Sequence, residues 1–293
     1  MRAILVFLFL LDILPNSFCF RTRRICGLNL RSLHLFGGSE SEGEIKDVGV
    51  VLLAGGKGTR MKAAMPKQFL PLLGKPVFLR SLDIFQEMSQ VSHIAVVLDK
   101  IYRDDYEDVF SQDSRLCWAD PGVERQGSVQ NGIAAIPDTC SMVAVHDAAR
   151  PLVTHKEVLD VLRDAQTFGA AVLGVPMKAT CKESEDGQFV LRTVDRSRLW
   201  EVHTPQVSTK KLFLEGFEKV ENEGLEVTDD VSVIEALGKP VKITVGEYTN
   251  IKLTTPDDIL TAEQIIKDRA DAADQKPFPG LDLDDPSRSY PCR

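Results

Sequence analysis

The chain lacks the cysteine patterns that indicate a metal site or a disulfide framework. Its 293 residues include six cysteines, at positions 19, 26, 117, 140, 181 and 292. No two of them form a C-x-x-C pair and no histidine cluster accompanies them, so the pattern argues against a zinc site. Cys117 lies in an apolar run and is interpreted as a small core residue. We therefore expect the mature protein to work in a reducing compartment.

The chain also lacks an excess of positive charge. It carries 35 Lys and Arg against 43 Asp and Glu, a formal net charge of −8, whereas a nucleic-acid-binding surface is usually basic. We expect no nucleic-acid partner. The motifs G-x-x-x-x-G-K-[ST] and G-x-G-x-x-G are absent from its glycine-rich turn. Without G-x-G-x-x-G and an acid about twenty residues later, an NAD-dependent dehydrogenase is disfavoured.

A glycine-rich turn follows the first apolar run of the main body. Residues 50–53 are continuously apolar and predict a strand buried on both faces. The next seven residues, AGGKGTR, contain three glycines that let backbone N–H groups approach an anion such as phosphate. Arg60 and Lys67 flank the turn with positive charge. An ordinary strand-to-helix turn that needs small residues is the alternative interpretation.

Buried strands alternate with amphipathic helices along most of the chain. Strands are predicted at 50–53, 93–98, 115–119, 142–145, 170–175 and 241–245. Helices are predicted at 76–88, 103–110, 124–136, 154–168, 211–223, 229–237 and 256–267, with Thr154 as an N-cap. The alternation predicts an α/β fold with a doubly wound, mostly parallel, Rossmann-like sheet. Ligands of such sheets bind at the carboxyl ends of the strands, where the glycine turn, Pro121–Arg125 and His146–Arg150 should meet.

Residues 176–205 interrupt this alternation. Lys178–Glu183 and Phe189–Val194 predict the two strands of a hairpin, with its turn at Glu185–Gln188. Such a projecting arm either pairs with a second subunit or is a surface excursion of a monomer, and the residues are compatible with both.

Several segments together resemble one enzyme family. A-G-G-x-G-T-R-M at residues 54–61, followed by P-K-Q-F at 66–69, is similar to the pattern of sugar- and polyol-phosphate nucleotidyltransferases. Six further segments narrow the resemblance to the 2-C-methyl-D-erythritol 4-phosphate cytidylyltransferases of the non-mevalonate isoprenoid pathway. They lie at 121–129, 146–151, 193–196, 204–206, 228–230 and 250–252. The resemblance covers residues 47–268, which we take as the folded domain.

The resemblance implies transfer of a cytidylyl group from CTP to 2-C-methyl-D-erythritol 4-phosphate, with release of pyrophosphate and with Mg²⁺ as cofactor. Such transfers depend on positioning and charge neutralisation more than on covalent catalysis. The alternatives are a ribitol-5-phosphate cytidylyltransferase, a hexose-1-phosphate nucleotidyltransferase and a non-catalytic nucleotide-binding regulator.

The glycine turn and the resemblance assign roles to individual residues. Arg60 and Lys67 are expected to neutralise charge on the triphosphate as catalytic residues. Nucleotide-binding positions are expected at Ala54, Gly55, Gly56, Gly58, Gly122, Arg125, Ser128 and Ala148. Substrate-binding positions are expected at Asp147, Arg150, Thr180, Arg196, Thr228 and Lys252. Asp147 is also the expected ligand of Mg²⁺, and Thr180 and Arg196 on the arm imply a homodimer that shares its sites.

Several of these residues also fit ordinary structural roles. Arg60 and Lys67 fit solvated surface cations, which is the commoner fate of these residue types. Asp147 is a candidate helix N-cap, Ser128 a helix-face serine, and Arg196 a charge in a turn.

Residues 1–46 have the composition of a leader and a polar linker. Residues 1–14 resemble the apolar region of a secretory signal and are too short to span a membrane. Four arginines then lie between positions 21 and 31, with no acid until Glu40, which resembles a plastid transit peptide. This order resembles the bipartite leaders of algae whose plastids have extra membranes. We expect a plastid stromal protein that is free of membranes when mature; a plain secretory signal is the alternative.

The end of the chain has a different composition. Residues 269–293 are polar and rich in proline, and we expect them to be disordered. A strap bound to the body is the alternative.

Overall fold

A mixed seven-stranded sheet lies at the centre of the computed structural model, which describes residues 44–56 and 65–274. In chain order the strands are β1 (Val48–Leu53), β2 (Pro71–Leu72), β3 (Lys75–Pro76), β4 (Val91–Val97), β5 (Leu116–Ala119), β6 (Met142–Asp147), β7 (Ala170–Pro176), β8 (Lys182–Glu183), β9 (Arg192–Thr193), β10 (Trp200–Thr209) and β11 (Lys242–Val245). The order in the large sheet is β11-β7-β10-β6-β1-β4-β5. Its neighbouring pairs are parallel except those that β10 makes with β6 and β7. The predicted doubly wound, mostly parallel sheet is confirmed.

Helices cover both faces of this sheet. They are α1 (Val77–Gln86), α2 (Glu107–Ser111), α3 (Arg125–Ala135), α4 (His155–Phe168), α5 (Lys210–Glu223), α6 (Ser232–Ala236) and α7 (Pro256–Asp274). The predicted N-cap of α4 is confirmed: Thr154 accepts from the Glu157 N–H, and the Glu157 side chain accepts from the Thr154 N–H. Within the described ranges, no helix combines the length and the apolar content needed to cross a bilayer.

Strand β1 shows why these residues form a buried strand. Val50 and Leu52 have no exposed surface and pack in the cluster of α1 and α4. Val51, also fully buried, points to the opposite face and packs in the cluster of α3 and α5. Because successive strand side chains alternate between faces, a strand covered by helices on both sides must be apolar throughout.

Strand β10 was not predicted. Its sequence contains Pro205 and several polar residues, and proline is disfavoured in central strands because it cannot donate a ladder hydrogen bond. The pairing of β10 with β7 has a register shift between Val202 and Gln206. Pro205 lies within that irregularity, so the strand continues past it and occupies the centre of the sheet.

The hairpin arm is present but its strands are shorter than predicted. Its ladder consists of Lys182–Glu183 and Arg192–Thr193, in antiparallel register. The turn around Glu185–Gln188 is confirmed, with Gly187 at φ 71°. Phe189–Leu191, predicted as strand, are exposed and lie outside the paired strands, because no second layer of the described chain lies over them.

Three predicted boundaries are wrong. The predicted helix at 229–237 is helical only at Ser232–Ala236, since residues 229–231 form a turn that contacts the site described below. The predicted helix at 103–110 is a 3₁₀ turn, Asp104–Tyr106, followed by Glu107–Ser111. Helix α7 runs to Asp274, so residues 269–274 are helical rather than disordered.

The leader up to residue 43 and the tail from residue 275 lie outside the described residues.

Two histidines are buried where β6 and β10 pair. His146 has no exposed surface, and His203 is 2% exposed. The Arg150 carbonyl accepts from His146 Nε2 at 3.1 Å, and Thr204 Oγ1 donates to His146 Nδ1 at 3.0 Å. Burial lowers the pKa of both imidazoles to about 4, because the core disfavours the charged imidazolium relative to the neutral ring.

These histidines predict acid destabilisation. Their folded pKa values lie below the ordinary value of 6.5, so between pH 6.5 and 4 the unfolded chain binds protons that the folded chain excludes. The free energy of unfolding should therefore fall as the pH is lowered through this window. Melting temperature measured against pH checks it. His203→Gln should flatten the dependence, whereas His155→Gln, at an exposed position, should leave it unchanged; equal slopes in all three proteins would contradict the prediction.

Candidate active site

A large cleft opens at the carboxyl ends of β1, β4, β5 and β6. Its volume is about 1360 Å³, which exceeds the range of roughly 300–1,000 Å³ typical of single small-molecule sites. Predicted nucleotide-binding residues that line it are Ala54, Gly55, Gly56, Gly122, Arg125 and Ser128. Lys67, Asp147 and Lys252 line it as well. The topology therefore brings together the segments that the sequence placed after separate strands.

The turn after β1 is packed against the loop after β5. The Ala54 N–H donates to the Val97 carbonyl at 2.9 Å, which extends the β1–β4 ladder by one residue. A Cβ built on Gly55 would lie 3.0 Å from Pro121 Cβ, so this position favours a glycine. Among the described residues, a Cβ on Gly56 would meet nothing within 4 Å, and Gly56 lines the cleft. Gly58 and Arg60 lie outside the described residues.

Gly122 and Ser128 join the loop after β5 to the start of α3. The Gly122 N–H donates to Ser128 Oγ at 2.9 Å, and Ser128 Oγ donates to the Glu124 carbonyl at 3.1 Å. A Cβ on Gly122 would lie 2.5 Å from the Gly127 backbone, so only glycine permits this approach. The pair fixes the wall of the cleft near the N-terminus of α3.

Four charged side chains form a chain of alternating sign at one wall of the cleft. Arg125 Nη2 donates to Asp147 Oδ1 at 3.0 Å, and Lys252 Nζ lies 2.6 Å from Asp147 Oδ2. On the other side, Arg125 Nη1 donates to Asp230 Oδ1 and Nη2 donates to Asp230 Oδ2 at 2.8 Å. Each carboxylate is thus held by at least one cation, and we call Asp230, Arg125, Asp147 and Lys252 the charge cluster.

The two carboxylates of the charge cluster titrate differently. Burial acts to raise the pKa of Asp147, but Arg125 and Lys252 outweigh it and hold that pKa well below its usual range. Burial raises the pKa of Asp230 to about 6; Arg125 opposes the shift, while Asp147 and Asp229 add to it. Asp147 is therefore a fixed negative charge. It contacts cations rather than a helix N-terminus, so the alternative role of Asp147 as an N-cap is wrong.

Lys67 lies in a short 3₁₀ turn, Lys67–Phe69, and lines the cleft. Its Nζ donates to the Leu253 carbonyl at 3.0 Å. This contact places the ammonium group beside the segment that carries Lys252, so two lysines face the same region of the cleft.

Other predicted residues lie outside the cleft lining. Arg150 is 8% exposed and donates to the carbonyls of Asn250 and Val202, at 2.7 and 3.3 Å. Ala148 is 1% exposed and packs in the core. Thr180, Arg196 and Thr228 are exposed, and the cleft formed by the described residues does not include them.

Some residues of the cleft were missed by sequence reasoning. Lys100 and Tyr102 follow β4, and Asp120 follows β5, where it pairs with Lys100 at 3.1 Å. Their position directly after two predicted strands could have indicated that they line the cleft. Asp230, which does not line the cleft, belongs to the motif at 228–230, but nothing in the sequence indicates that it contacts Arg125.

A magnesium ion would find a sparse set of protein ligands here. Among the described residues, no group of three or more His, Cys, Asp or Glu side chains is arranged to hold a metal. Asp147 offers one carboxylate, which also contacts Arg125 and Lys252. This fits the usual mode of Mg²⁺, which takes one or two carboxylates and completes its shell with substrate phosphates and water.

Comparison with known proteins places the chain in one family. Residues 48–268 match the family described as IspD: 2-C-methyl-D-erythritol 4-phosphate cytidylyltransferase. A protein of Oryza sativa subsp. japonica named 2-C-methyl-D-erythritol 4-phosphate cytidylyltransferase, chloroplastic, is 51% identical over 225 residues, which cover 76% of each chain. A protein of Geobacillus thermodenitrificans with the same enzyme name is 41% identical over 75% of this chain and 96% of its own.

Solved structures agree with this match. The 4-diphosphocytidyl-2C-methyl-D-erythritol synthase of Anaerococcus prevotii superposes with a TM-score of 0.68 at 26% identity, covering 76% of this chain and 99% of that one. The 2-C-methyl-D-erythritol 4-phosphate cytidylyltransferase of Thermus thermophilus gives 0.62 at 30% identity, covering 75% and 99%. With a family match over residues 48–268, a cleft at the carboxyl edge of the sheet and the same fold, this chain belongs to the 2-C-methyl-D-erythritol 4-phosphate cytidylyltransferase family.

Proposed function

We propose that the chain transfers the cytidylyl group of CTP to 2-C-methyl-D-erythritol 4-phosphate in this cleft, giving 4-diphosphocytidyl-2-C-methyl-D-erythritol and pyrophosphate in isoprenoid precursor synthesis. The observation that carries the assignment of the site is the convergence of Lys67, Arg125, Asp147 and Lys252 on one cleft. These residues come from four separate segments, and each was predicted from its own motif.

In the transfer, an oxygen of the polyol phosphate attacks the α-phosphorus of CTP. The new P–O bond forms as the bond from the α-phosphorus to the bridging oxygen breaks, and pyrophosphate leaves with the electron pair. The charge that grows on the leaving group and on the phosphoryl oxygens has to be neutralised. Lys67 and Lys252 supply cations at the cleft, and Asp147 holds Lys252 in place. Arg60, outside the described residues, stays a predicted further cation.

The nucleotide and the polyol phosphate are assigned to different sides of the cleft. The turn at Ala54–Gly56 and the Gly122–Ser128 wall surround the nucleotide side, where small residues leave room for a ligand. Asp147 and Lys252 form the polyol-phosphate side. Arg125, which contacts Asp147, lies between the two.

We propose Mg²⁺ as the cofactor, with Asp147 as its protein ligand. Its charge would stabilise the triphosphate and the departing pyrophosphate. Asp147 has the low pKa that keeps a carboxylate ionised for this purpose.

The transfer is tested with the full chain, CTP, Mg²⁺ and 2-C-methyl-D-erythritol 4-phosphate, by measuring pyrophosphate release. Lys67→Ala should lower kcat by about 10²–10³-fold, the size expected for losing one preorganised charge at the reacting phosphates. Lys211→Ala, on α5 with its side chain 83% exposed, is the matched control and should be unaffected.

Three outcomes would contradict the proposal. Turnover only with ribitol 5-phosphate would support the ribitol-phosphate alternative. CTP binding without turnover of either polyol phosphate would support a nucleotide-binding regulator. A Lys67→Ala enzyme with a near-normal rate would remove Lys67 from the mechanism.

We also propose a homodimer in which the arm serves the partner's site. Thr180 and Arg196 are exposed and lie outside the cleft of their own chain. Arg196 Nη1 donates to the Lys178 carbonyl at 2.7 Å, which holds this arginine on the arm. The arm tip carries exposed apolar side chains, with Phe189 76% and Val190 60% exposed, as expected of a surface that a second subunit covers.

Mixed dimers test whether the arm crosses. Arg196→Ala and Lys252→Ala should each be inactive alone. If the arm crosses, a mixed dimer of the two variants has one intact site, and random co-assembly restores about a quarter of wild-type activity. If the arm serves its own chain, every site carries one lesion and co-expression restores nothing. A chain that remains monomeric by sedimentation would also refute the dimer.

We propose that the mature protein works in the plastid stroma. The relative from Oryza sativa is named chloroplastic, and residues 1–46 have the composition of a bipartite leader. Residues 1–46 fused to a fluorescent protein should direct it to the plastid of an alga whose plastids have extra membranes. Fluorescence confined to the secretory pathway would support a plain secretory signal instead.

A further inference from the structure

The buried carboxylate of Asp230 lies behind Arg125 and away from the open cleft. The side chain of Asp230 is 2% exposed, whereas that of Arg125 is 39% exposed. Arg125 lines the cleft and Asp230 does not. Any effect of Asp230 on substrates therefore has to act through Arg125.

The contact between Asp230 and Arg125 fixes the plane of the guanidinium group. Both Nη atoms of Arg125 donate to the two carboxylate oxygens of Asp230, with the Nη2–Oδ2 distance at 2.8 Å. Two parallel hydrogen bonds allow one orientation of the planar group. In that orientation Nη2 also donates to Asp147 Oδ1 at 3.0 Å. One arginine is thus held between two carboxylates from distant segments.

The turn that carries Asp230 is itself fastened to the central strand β10. Gln206 Oε1 accepts from the Val231 N–H at 2.9 Å, and Gln206 Nε2 donates to Asp229 Oδ2 at 3.2 Å. Asp229 Oδ1 accepts from the Ser232 N–H at 3.1 Å. The residues before and after Asp230, Asp229 and Val231, are therefore both held by Gln206 of β10. This fixes the position of Asp230 and so suits a residue that orients Arg125.

Charge balance gives a reason for burying this carboxylate. A buried carboxylate is costly unless a cation pairs with it. The charge cluster contains two carboxylates and two cations and is neutral as a unit when all four are ionised. Without Asp230, Arg125 would face Asp147 alone, and nothing would oppose its movement toward the cleft or toward the Asp147–Lys252 pair.

We propose that Asp230 is a positioning residue of the active site, which holds the Arg125 guanidinium at the cleft wall so that the nucleotide side and the Asp147–Lys252 side keep one geometry. This inference rests on the proposed function, because Arg125 is placed there between the nucleotide side and the Asp147–Lys252 side. Asp230 touches neither substrate; it acts through Arg125 alone.

The test compares Asp230→Asn with Asp113→Asn by calorimetric binding of CTP. Asparagine has the size of aspartate, but its NH₂ group replaces one of the two oxygens and cannot accept a hydrogen bond from the second Nη atom of Arg125. Asp230→Asn should weaken CTP binding by about tenfold, the equivalent of 1.4 kcal/mol. Asp113→Asn breaks a similar two-oxygen contact, in which Arg115 Nε donates to Asp113 Oδ1 at 3.0 Å and Arg115 Nη2 donates to Asp113 Oδ2 at 2.8 Å. This pair lies outside the cleft lining, so the variant should keep wild-type affinity.

A double variant separates positioning from a purely structural role. Arg125→Ala leaves Asp230 buried without its cation, so it should lower the melting temperature. Adding Asp230→Asn to Arg125→Ala should raise the melting temperature again and should not weaken CTP binding further. A second, additive loss of affinity would mean that Asp230 acts independently of Arg125 and would overturn the proposal.

The outcomes distinguish this inference from the proposed function. Wild-type affinity of Asp230→Asn for CTP, or an equal loss in Asp113→Asn, would overturn the positioning role. A wild-type chain that binds CTP but releases no pyrophosphate with either polyol phosphate would count against the transfer reaction and leave the affinity comparison valid. A wild-type chain that does not bind CTP would overturn both.

Discussion

The site depends on one carboxylate that two cations share. Asp147 ends the central strand β6 and pairs with Arg125 from α3 and with Lys252 from the segment after β11. A carboxylate in the core would be expensive by itself, and the two cations stabilise it enough to depress its pKa. The same pairing holds both cations in place without substrate. The cleft therefore has its charges arranged before any ligand arrives, which is the condition for strong electrostatic catalysis.

Strand β10 makes this arrangement possible. It lies antiparallel between β6 and β7, so its residues reach both the interior of the site and the turn beside it. Thr204 Oγ1 accepts from the Asp147 N–H at 3.1 Å and orients the end of β6. Gln206 fastens the turn that carries Asp230. The arm leads directly into β10, so the segment proposed to contact a partner is continuous with the centre of the sheet.

The sequence predicted those parts of the fold that depend on residues close together in the chain. Apolar runs such as Val50–Leu53, and the capping pair Thr154 and Glu157, act within a few residues and were predicted well. The strand containing Pro205 was missed because only its pairing on both sides outweighs the cost of a proline. Phe189–Leu191 were predicted as strand from composition, but their side chains are exposed and the described chain places no second layer over them.

Local sequence patterns predicted the sheet type, the family and most of the segments that line the cleft, because strand ends and glycine turns are local features that a mostly parallel sheet gathers at one edge. Tertiary packing set the pairing of the charges. It joined Arg125 to Asp230 and Asp147, buried Arg150 against backbone carbonyls, and kept Thr180 and Arg196 out of their own chain's cleft. Contacts between residues far apart in the sequence depend on packing geometry, and packing geometry has no signature in the spacing of residues along the chain.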